Sequence, residues 1–340
     1  MKITLGSTGI VVNKDGFGAL PIQRISTEAA VKLVRRAYEG GMDFFDTARS
    51  YTDSEEKLGL ALSDVRDKII IATKTPALNS EDFWKDLETS LHNLRTDYVD
   101  ILQFHNPAFC PKPGGEDGLY DAMLEAKAQG KVRHIGITNH RLHVAKEAIE
   151  SGLYETMQFP LCYLATDKDL EIVRMTQEKN MAFIGMKSLS GGLITNVRAA
   201  AAFAGEFDNV IPIWGIQRES ELDDFLEFID DFPKMDDEIR EFIEKEKISL
   251  SGDFCRSCGY CLPCPAGIDI PQAARMSQLI RRSPSQKFLE KEWQEKMAMI
   301  ENCRNCGSCM SKCPYELNTP VLLRKNLDDY KKILKGEVTL

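Results

Sequence analysis

Eight of the ten cysteines of this 340-residue chain fall between Cys255 and Cys313; only Cys110 and Cys162 precede them. Charge changes at the same boundary, with net −14 over residues 1–254 and net +5 over residues 255–340. A cysteine array beside a long stretch almost free of cysteine points to two parts with different jobs. The chain is 43% hydrophobic and 28% charged, enough apolar residue to bury a core. No apolar run approaches the roughly 20 residues that span a bilayer. The overall charge of −9 argues against general nucleic-acid binding. Met1–Gly6 lacks the apolar region of a signal peptide, so a cytoplasmic protein is expected.

The first array reads Cys255-x2-Cys258-x2-Cys261-x2-Cys264-Pro265, and the second Cys303-x2-Cys306-x2-Cys309-x3-Cys313-Pro314. The second is the bacterial ferredoxin spacing for a [4Fe–4S] cluster. The first is one residue short before its last cysteine. Three thiolates two residues apart wrap one face of a cubane, and the following proline turns the chain away. In two-cluster proteins the fourth cysteine ligates the other cluster. The expected sets are therefore Cys255, Cys258, Cys261 and Cys313 for one cluster, and Cys303, Cys306, Cys309 and Cys264 for the other. A zinc site built from four cysteines needs only two pairs, and disulfides suit exported chains. Between the arrays, Met276, Leu279 and Ile280 form one helical face, and Leu289, Trp293, Met297 and Ile300 another. This resembles the all-helical two-cluster ferredoxin modules. Its positive charge would offset two thiolate-ligated clusters or dock an acidic redox partner protein.

The longer part alternates short apolar runs with helical segments. Strands are expected over Asp15–Leu20, Met42–Asp46, Lys68–Thr73, Val99–Phe104, His134–Thr138, Thr156–Phe159, Ala182–Met186 and Val210–Ile213. They are near-continuously apolar, as strands covered on both faces are. Thr27–Glu39 sets Ala30, Val34 and Ala37 on one helical face. Thr166-Asp167-Lys168-Asp169 reads as a capping box; Gly40-Gly41 and Gly130 read as helix stops. Eight βα units in about 250 residues is the rhythm of a TIM barrel. A doubly wound sheet would usually carry G-x-G-x-x-G after its first strand, and Gly16-Phe17-Gly18 does not complete it. Residues 1–230 are expected to form the (β/α)8 barrel, 231–254 an acidic linker helix punctuated by Ser249-Leu250-Ser251-Gly252, and 255–340 a small, mainly helical two-cluster domain with a C-terminal helix.

A barrel places its reactive groups at the C-terminal ends of its strands. There the sequence has Asp46 and Tyr51, then Lys74, then His105, from three successive strands. Each alone has an ordinary structural reading as cap, packed ring or solvated charge. Together they suggest a site. A buried Lys74 would need a carboxylate such as Asp46, and its charge would lower the Tyr51 phenol from about 10, making a general acid. His105 would orient a carbonyl or share the proton.

At this point the chain resembles the aldo-keto reductases. The carrying segments are Asp46-Thr47-Ala48-Arg49-Ser50-Tyr51, Ala72-Thr73-Lys74-Thr75, Val99 to Asn106, and Gly130-Lys131-Val132-Arg133-His134-Ile135-Gly136-Ile137-Thr138-Asn139-His140. The resemblance covers roughly residues 1–230. It implies a catalytic tetrad of Asp46, Tyr51, Lys74 and His105. It also implies that Thr138, Asn139 and Gln158 hold the nicotinamide carboxamide, with Gly18 and Ala19 beside the ring. Met186, Lys187, Ser188, Leu189, Gly191 and Gly192 would surround the pyrophosphate. Gln217 and Arg218 would face the adenosine end. The chain departs from the family pattern at Met186, where many relatives stack a Tyr, at Ser188 for Pro, at Gln217 for Lys, and at Phe225 for Asn. Arg218 still favours NADPH over NADH, because one guanidinium binds phosphate bidentately. Cys110, in a Pro-rich loop after His105, is read as a bystander or a substrate-loop residue.

The function expected is a nicotinamide-dependent reductase of a small-molecule carbonyl substrate, with Tyr51 as proton donor, linked to two [4Fe–4S] clusters. The alternative is an electron-transfer or redox-sensing protein with little turnover in the barrel. A third reading is a reductase stabilised by zinc. Nicotinamide moves two electrons as hydride and a cluster moves one, so direct exchange needs a flavin or similar converter; no feature identifies a flavin site.

Overall fold

In the computed structural model, the apolar runs become eight parallel strands that close on themselves. The structure describes residues 1–250, 255–257, 259–282, 286–313 and 315–338. It divides into two units, one of Met1–Ser188 with Val197–Asp236, the other of Leu189–Asn196 with Asp237–Leu340.

In the first unit a hairpin, β1 (Lys2–Thr4) and β2 (Val11–Asn13), precedes the barrel. The barrel strands are β3 (Gly16–Gly18), β4 (Phe44–Asp46), β5 (Ile70–Thr75), β6 (Val99–His105), β7 (Val132–Thr138), β8 (Thr156–Pro160), β9 (Ala182–Met186) and β10 (Val210–Gly215). Each is followed by one of the helices α1 (Thr27–Glu39), α2 (Ser54–Leu62), α3 (Ser80–Leu94), α4 (Leu119–Ala128), α5 (Leu142–Ser151), α6 (Asp167–Glu178), α7 (Val197–Gly205) and α8 (Glu219–Leu226). Order around the closed sheet follows the sequence, with β10 returning to β3. The expected (β/α)8 barrel is the architecture found.

Local chemistry explains the element ends. Ser26 Oγ accepts from Ala29 N to start α1. That helix buries Ala30, Leu33, Val34 and Ala37. Thr166 and Asp169 make the reciprocal capping box of α6. The strands run on past several of the expected ends. β5 continues through Lys74 and Thr75, because the buried lysine finds a carboxylate on the next strand and the ladder need not break.

The hairpin was not foreseen, since three-residue strands carry too little alternation. Its Ile3 and Val12, with the adjoining Leu5, join Phe44, Ala72, Ile101, Ala182, Ile184, Ile211 and Ile213 in one buried cluster. Gly6 allows this approach: a Cβ there would lie 2.5 Å from Ala182 N, and its φ is +49°. The apolar plug leaves polar chemistry to the opposite ends of the strands.

The second unit is helical. It contains α9 (Asp237–Ser249), α10 (Ile270–Ala273), α11 (Met276–Arg282), α12 (Gln286–Leu289), α13 (Lys291–Ala298), α14 (Ser308–Ser311) and α15 (Thr319–Leu334). The apolar face expected at Met276, Leu279 and Ile280 is buried. Of the second face, Met297 and Ile300 are buried, while Leu289 and Trp293 are half-buried. Buried Asn326 on α15 donates to Ala274 O and Leu322 O, and accepts from Ser277 N. Ser251, Gly252, Cys258 and Pro314 lie outside the described residues.

Candidate functional site

Beyond β4 the chain stays stitched to its neighbour. Thr47 N donates to Ala72 O at 2.9 Å and Arg49 N to Lys74 O at 3.0 Å. Tyr51 N then closes a turn on Ala48 O at 3.0 Å. This fixes Tyr51 relative to Lys74. Lys74 Nζ donates to Asp46 Oδ2 at 2.7 Å and to Thr47 O at 2.5 Å. It lies 5.3 Å from the centre of the Tyr51 ring. The His105 ring, at the end of β6, meets Tyr51 edge to face at 5.7 Å. The four residues singled out from the sequence therefore meet at the C-terminal ends of β4, β5 and β6.

The electrostatics differ from the sequence expectation in one respect. Tyr51 is pushed above the usual phenol range, not below it, by burial and by the negative charge of Asp46. Lys74 is itself pushed down by burial, and its positive charge goes first to Asp46, which burial pushes up. The ammonium does not make a phenolate; the hydroxyl keeps its proton, the state a proton donor needs. His105 is pushed down to about 3 by burial and by Lys74, and His140 to about 3 by burial and nearby Lys187. Both rings are neutral at physiological pH.

These shifts predict a pH dependence. Between about 3 and the free value of 6.5, the unfolded chain binds the protons that the folded chain refuses. The histidine contribution to stability therefore rises with pH across that window and is lost on acidification, while buried Asp15, pushed up to about 7, contributes in the opposite sense. In urea titrations from pH 7 to pH 4, each of these histidines should take about 1.4 kcal/mol per pH unit from the unfolding free energy below pH 6.5. His105→Asn should remove one of the two contributions; an unchanged slope would show that His105 is not held neutral.

Three residues that the sequence reading passed over complete the surroundings. Gln103 on β6 donates to Gln158 Oε1 at 2.7 Å, and Gln158 Nε2 lies 3.4 Å from Asp46 Oδ2. Glu55 is fully buried, accepting from Thr73 Oγ1 at 2.7 Å and from Arg49 at 3.0 Å. Ser50 Oγ lies 2.9 Å from His105 Nδ1. Gln103 carried a signal, as a polar residue two positions before His105 on a mostly apolar strand. Glu55 carried one too, in the family-like Ser54-Glu55 after Tyr51; Ser50 carried none.

The expected cofactor residues fall as follows. Gly18 ends β3, and Ala19 N donates to Asp46 O at 2.8 Å. Thr138 ends β7, in register with His105 on one side and Gln158 on the other. Asn139 is buried, its Nδ2 donating to Pro107 O at 2.8 Å and its Oδ1 accepting from His140 N and Arg141 N. Met186 is the last residue of β9. Lys187 follows with φ +60°, and Ser188 Oγ donates to Gly185 O. Gln217 N and Arg218 N both donate to Glu221, which also pairs with the Arg218 guanidinium at 2.5 Å. Phe225 is core, stacked on Trp214 with ring centres 4.7 Å apart.

Leu189, Gly191 and Gly192 belong to the second unit. The backbone is left-handed at Ser190, Gly191 and Gly192. Arg275, 1% exposed, donates to Ser190 O at 2.7 Å and Gly191 O at 3.1 Å. A Cβ on Gly191 would lie 2.9 Å from that guanidinium.

In the same unit the cysteines ring two cavities. One is lined by Cys264, Cys303, Cys306 and Cys309, with Cys261 also at its wall. The other is lined by Cys255, Cys261 and Cys313, with Cys309 at its wall. Among the described residues, no three His, Cys, Asp or Glu converge as a single metal ion requires. Thiols that ring two separate cavities offer the donor chemistry that iron–sulfur clusters use. Burial pushes the Cys255 thiol up, opposed in part by Arg275 and Arg256.

Comparison with known proteins agrees with both architectures. The profile of the Aldo/keto reductase family matches residues 14–251. The chain belongs to that family. A 4Fe-4S dicluster domain matches residues 254–318. This aldo/keto reductase thus also has a 4Fe-4S dicluster domain. It is 31% identical to an L-galactose dehydrogenase of Arabidopsis thaliana over 56% of this chain and 66% of the relative. It is 34% identical to a methylglyoxal reductase of Escherichia coli O157:H7 over 37% of this chain and 48% of the relative. The matched segment spans about half to two thirds of such relatives. Among solved structures, the holo form of an aldo-keto reductase from Bacillus halodurans matches with TM-score 0.63 at 20% identity, covering 72% of this chain and 95% of that one. An aldo-keto reductase from Klebsiella pneumoniae in complex with NADPH matches with TM-score 0.63 at 18% identity, covering 73% and 95%. At those identities the likeness is one of fold. Among the described residues, no helix is long and apolar enough to cross a membrane.

Proposed function

We propose that this aldo/keto reductase reduces an aldehyde or ketone with NADPH, and that its cysteine-rich part holds two [4Fe–4S] clusters. The observation that carries the reading is the meeting of Asp46, Lys74, Tyr51 and His105 at the strand ends. Bound NADPH would supply the hydride. Tyr51 Oη gives its proton to the carbonyl oxygen as negative charge develops there. Lys74 follows that charge electrostatically, and Asp46 holds Lys74 against the loss of hydration. Neutral His105 donates a hydrogen bond that aims the carbonyl. Thr138, Asn139 and Gln158 would hold the carboxamide, with Gly18, Ala19 and Met186 around the ring. Lys187, Ser188, Leu189, Gly191 and Gly192 would hold the pyrophosphate, and Gln217 and Arg218 the adenosine end. The clusters would be held by Cys255, Cys258, Cys261 and Cys313, and by Cys264, Cys303, Cys306 and Cys309. Carbon-4-deuterated NADPH tests the reading directly. Deuterium should appear on the carbinol carbon of the product; retention on the nicotinamide would overturn it.

Arg218 should set the choice of nucleotide. Its guanidinium rests on Glu221 at the surface, and an exposed pair of this kind is held by about 1 kcal/mol or less, so a phosphate can displace the carboxylate. Arg218→Ala is expected to weaken NADPH binding by about 10-fold to 100-fold, the range for losing one charge-assisted phosphate contact, with NADH unaffected. Equal losses for both nucleotides in fluorescence titrations would remove Arg218 from the 2′-phosphate.

A second reading, an electron-transfer or redox-sensing role with little barrel turnover, is favoured by the two cysteine-lined cavities. An anaerobic redox titration with and without NADPH separates the two. Clusters that NADPH reduces with no carbonyl present would favour the second.

A further inference from the structure

Ser50 stands one residue before Tyr51, in the turn that Arg49 N ties to β5. Its Oγ lies 2.9 Å from Nδ1 of His105. Among the described residues neither that hydroxyl nor His105 Nε2 has another hydrogen-bond partner. A neutral imidazole carries one N–H and one lone pair, and which nitrogen holds the proton is set by the partner of the other. The ring is kept neutral by burial, so its two tautomers are the states to choose between.

We propose that Ser50 is a positioning residue that selects the tautomer of His105, its hydroxyl donating to Nδ1 so that Nε2 carries the hydrogen toward the substrate carbonyl. The inference rests on the carbonyl-reductase reading above. The opposite arrangement works against that chemistry. With the hydrogen on Nδ1, Nε2 would present a lone pair. It would repel a carbonyl oxygen and accept from the Tyr51 hydroxyl, whose ring lies edge to face with it at 5.7 Å. The proton donor would then be tied to the imidazole. One short turn thus delivers both the acid, Tyr51, and the group that keeps His105 from capturing the acid's proton.

The test uses the holoprotein labelled with nitrogen-15 in its histidine rings. NMR reads which nitrogen of His105 is protonated, assigned by the signals missing in His105→Asn. Wild type should show hydrogen on Nε2. Ser50→Ala should shift the ring toward hydrogen on Nδ1 and lower kcat/KM for the carbonyl by about 5-fold to 30-fold, the range for losing one neutral hydrogen bond in a desolvated site. NADPH affinity should not change, because Ser50 touches no expected cofactor residue. Ser50→Thr keeps the hydroxyl and should restore tautomer and rate together. The proposal falls if Ser50→Ala leaves the hydrogen on Nε2, or if wild type already carries it on Nδ1. The tautomer is read without turnover. A wild type that reduces no carbonyl would overturn the function proposed for the site, while the ring's protonation would still report on Ser50.

Discussion

Replacing the Tyr51 hydroxyl with hydrogen, as Tyr51→Phe, should lower kcat for carbonyl reduction by about 10²-fold to 10⁴-fold, the usual worth of a positioned general acid. The ring stays, so its packing against His105 and Lys74 stays. The Asp46–Lys74 pair is untouched and NADPH binding should be unchanged. Lys74→Met is a poorer probe, because it strands a buried carboxylate and costs roughly 3–5 kcal/mol of stability. The structure also sharpens what should be seen against pH. The phenol lies above its ordinary range and His105 near 3, so neither group titrates between pH 5 and pH 8 in the free enzyme. Neither the phenol nor the imidazole should therefore put a bend in the kcat/KM profile across that span, in wild type or variant. Equal turnover by Tyr51→Phe and wild type would remove Tyr51 as the acid and leave the cysteine-rich part as the seat of the chemistry.

Cys264→Ala and Cys313→Ala should each remove one cluster of two, so that anaerobic iron and sulfide assays fall from about eight of each per chain to about four. The informative point is which cluster is lost. Cys264 is the last cysteine of the first array but lines the cavity of Cys303, Cys306 and Cys309. Cys313 is the last cysteine of the second array but lines the cavity of Cys255 and Cys261. Because binding free energy in such modules is folding free energy, losing a cluster should also loosen the backbone around it. Hydrogen exchange should therefore rise around residues 303–309 in Cys264→Ala, and around residues 255–261 in Cys313→Ala. The reverse pattern would mean that each array closes its own site.

Much of the barrel and its polar centre was legible because the signals were local. Runs such as Ala182–Met186 are apolar throughout, and each ends where a charged or polar residue begins. Asp46, Lys74 and His105 each follow such a run, so their convergence required only that the strands be neighbours. What was missed needed contacts between residues distant in sequence, or competing terms. The hairpin has three residues per strand, too few for a period. The Tyr51 shift does not follow from the Lys74 charge alone, because burial and the charge of Asp46 act against it and prevail. Phe225 departs from the family pattern for a plain reason, its stacking on Trp214. Ser50 has nothing in its sequence setting to separate it from any serine in a turn.

Arg275 is the least local of these features. It grips the carbonyls of Ser190 and Gly191 from 85 and 84 positions downstream. Residues Leu189–Asn196, although threaded between β9 and α7, are therefore shaped by chain that is synthesised after all eight strands. A polypeptide halted at residue 236 would possess all eight strands yet keep a bend whose anchor never arrives.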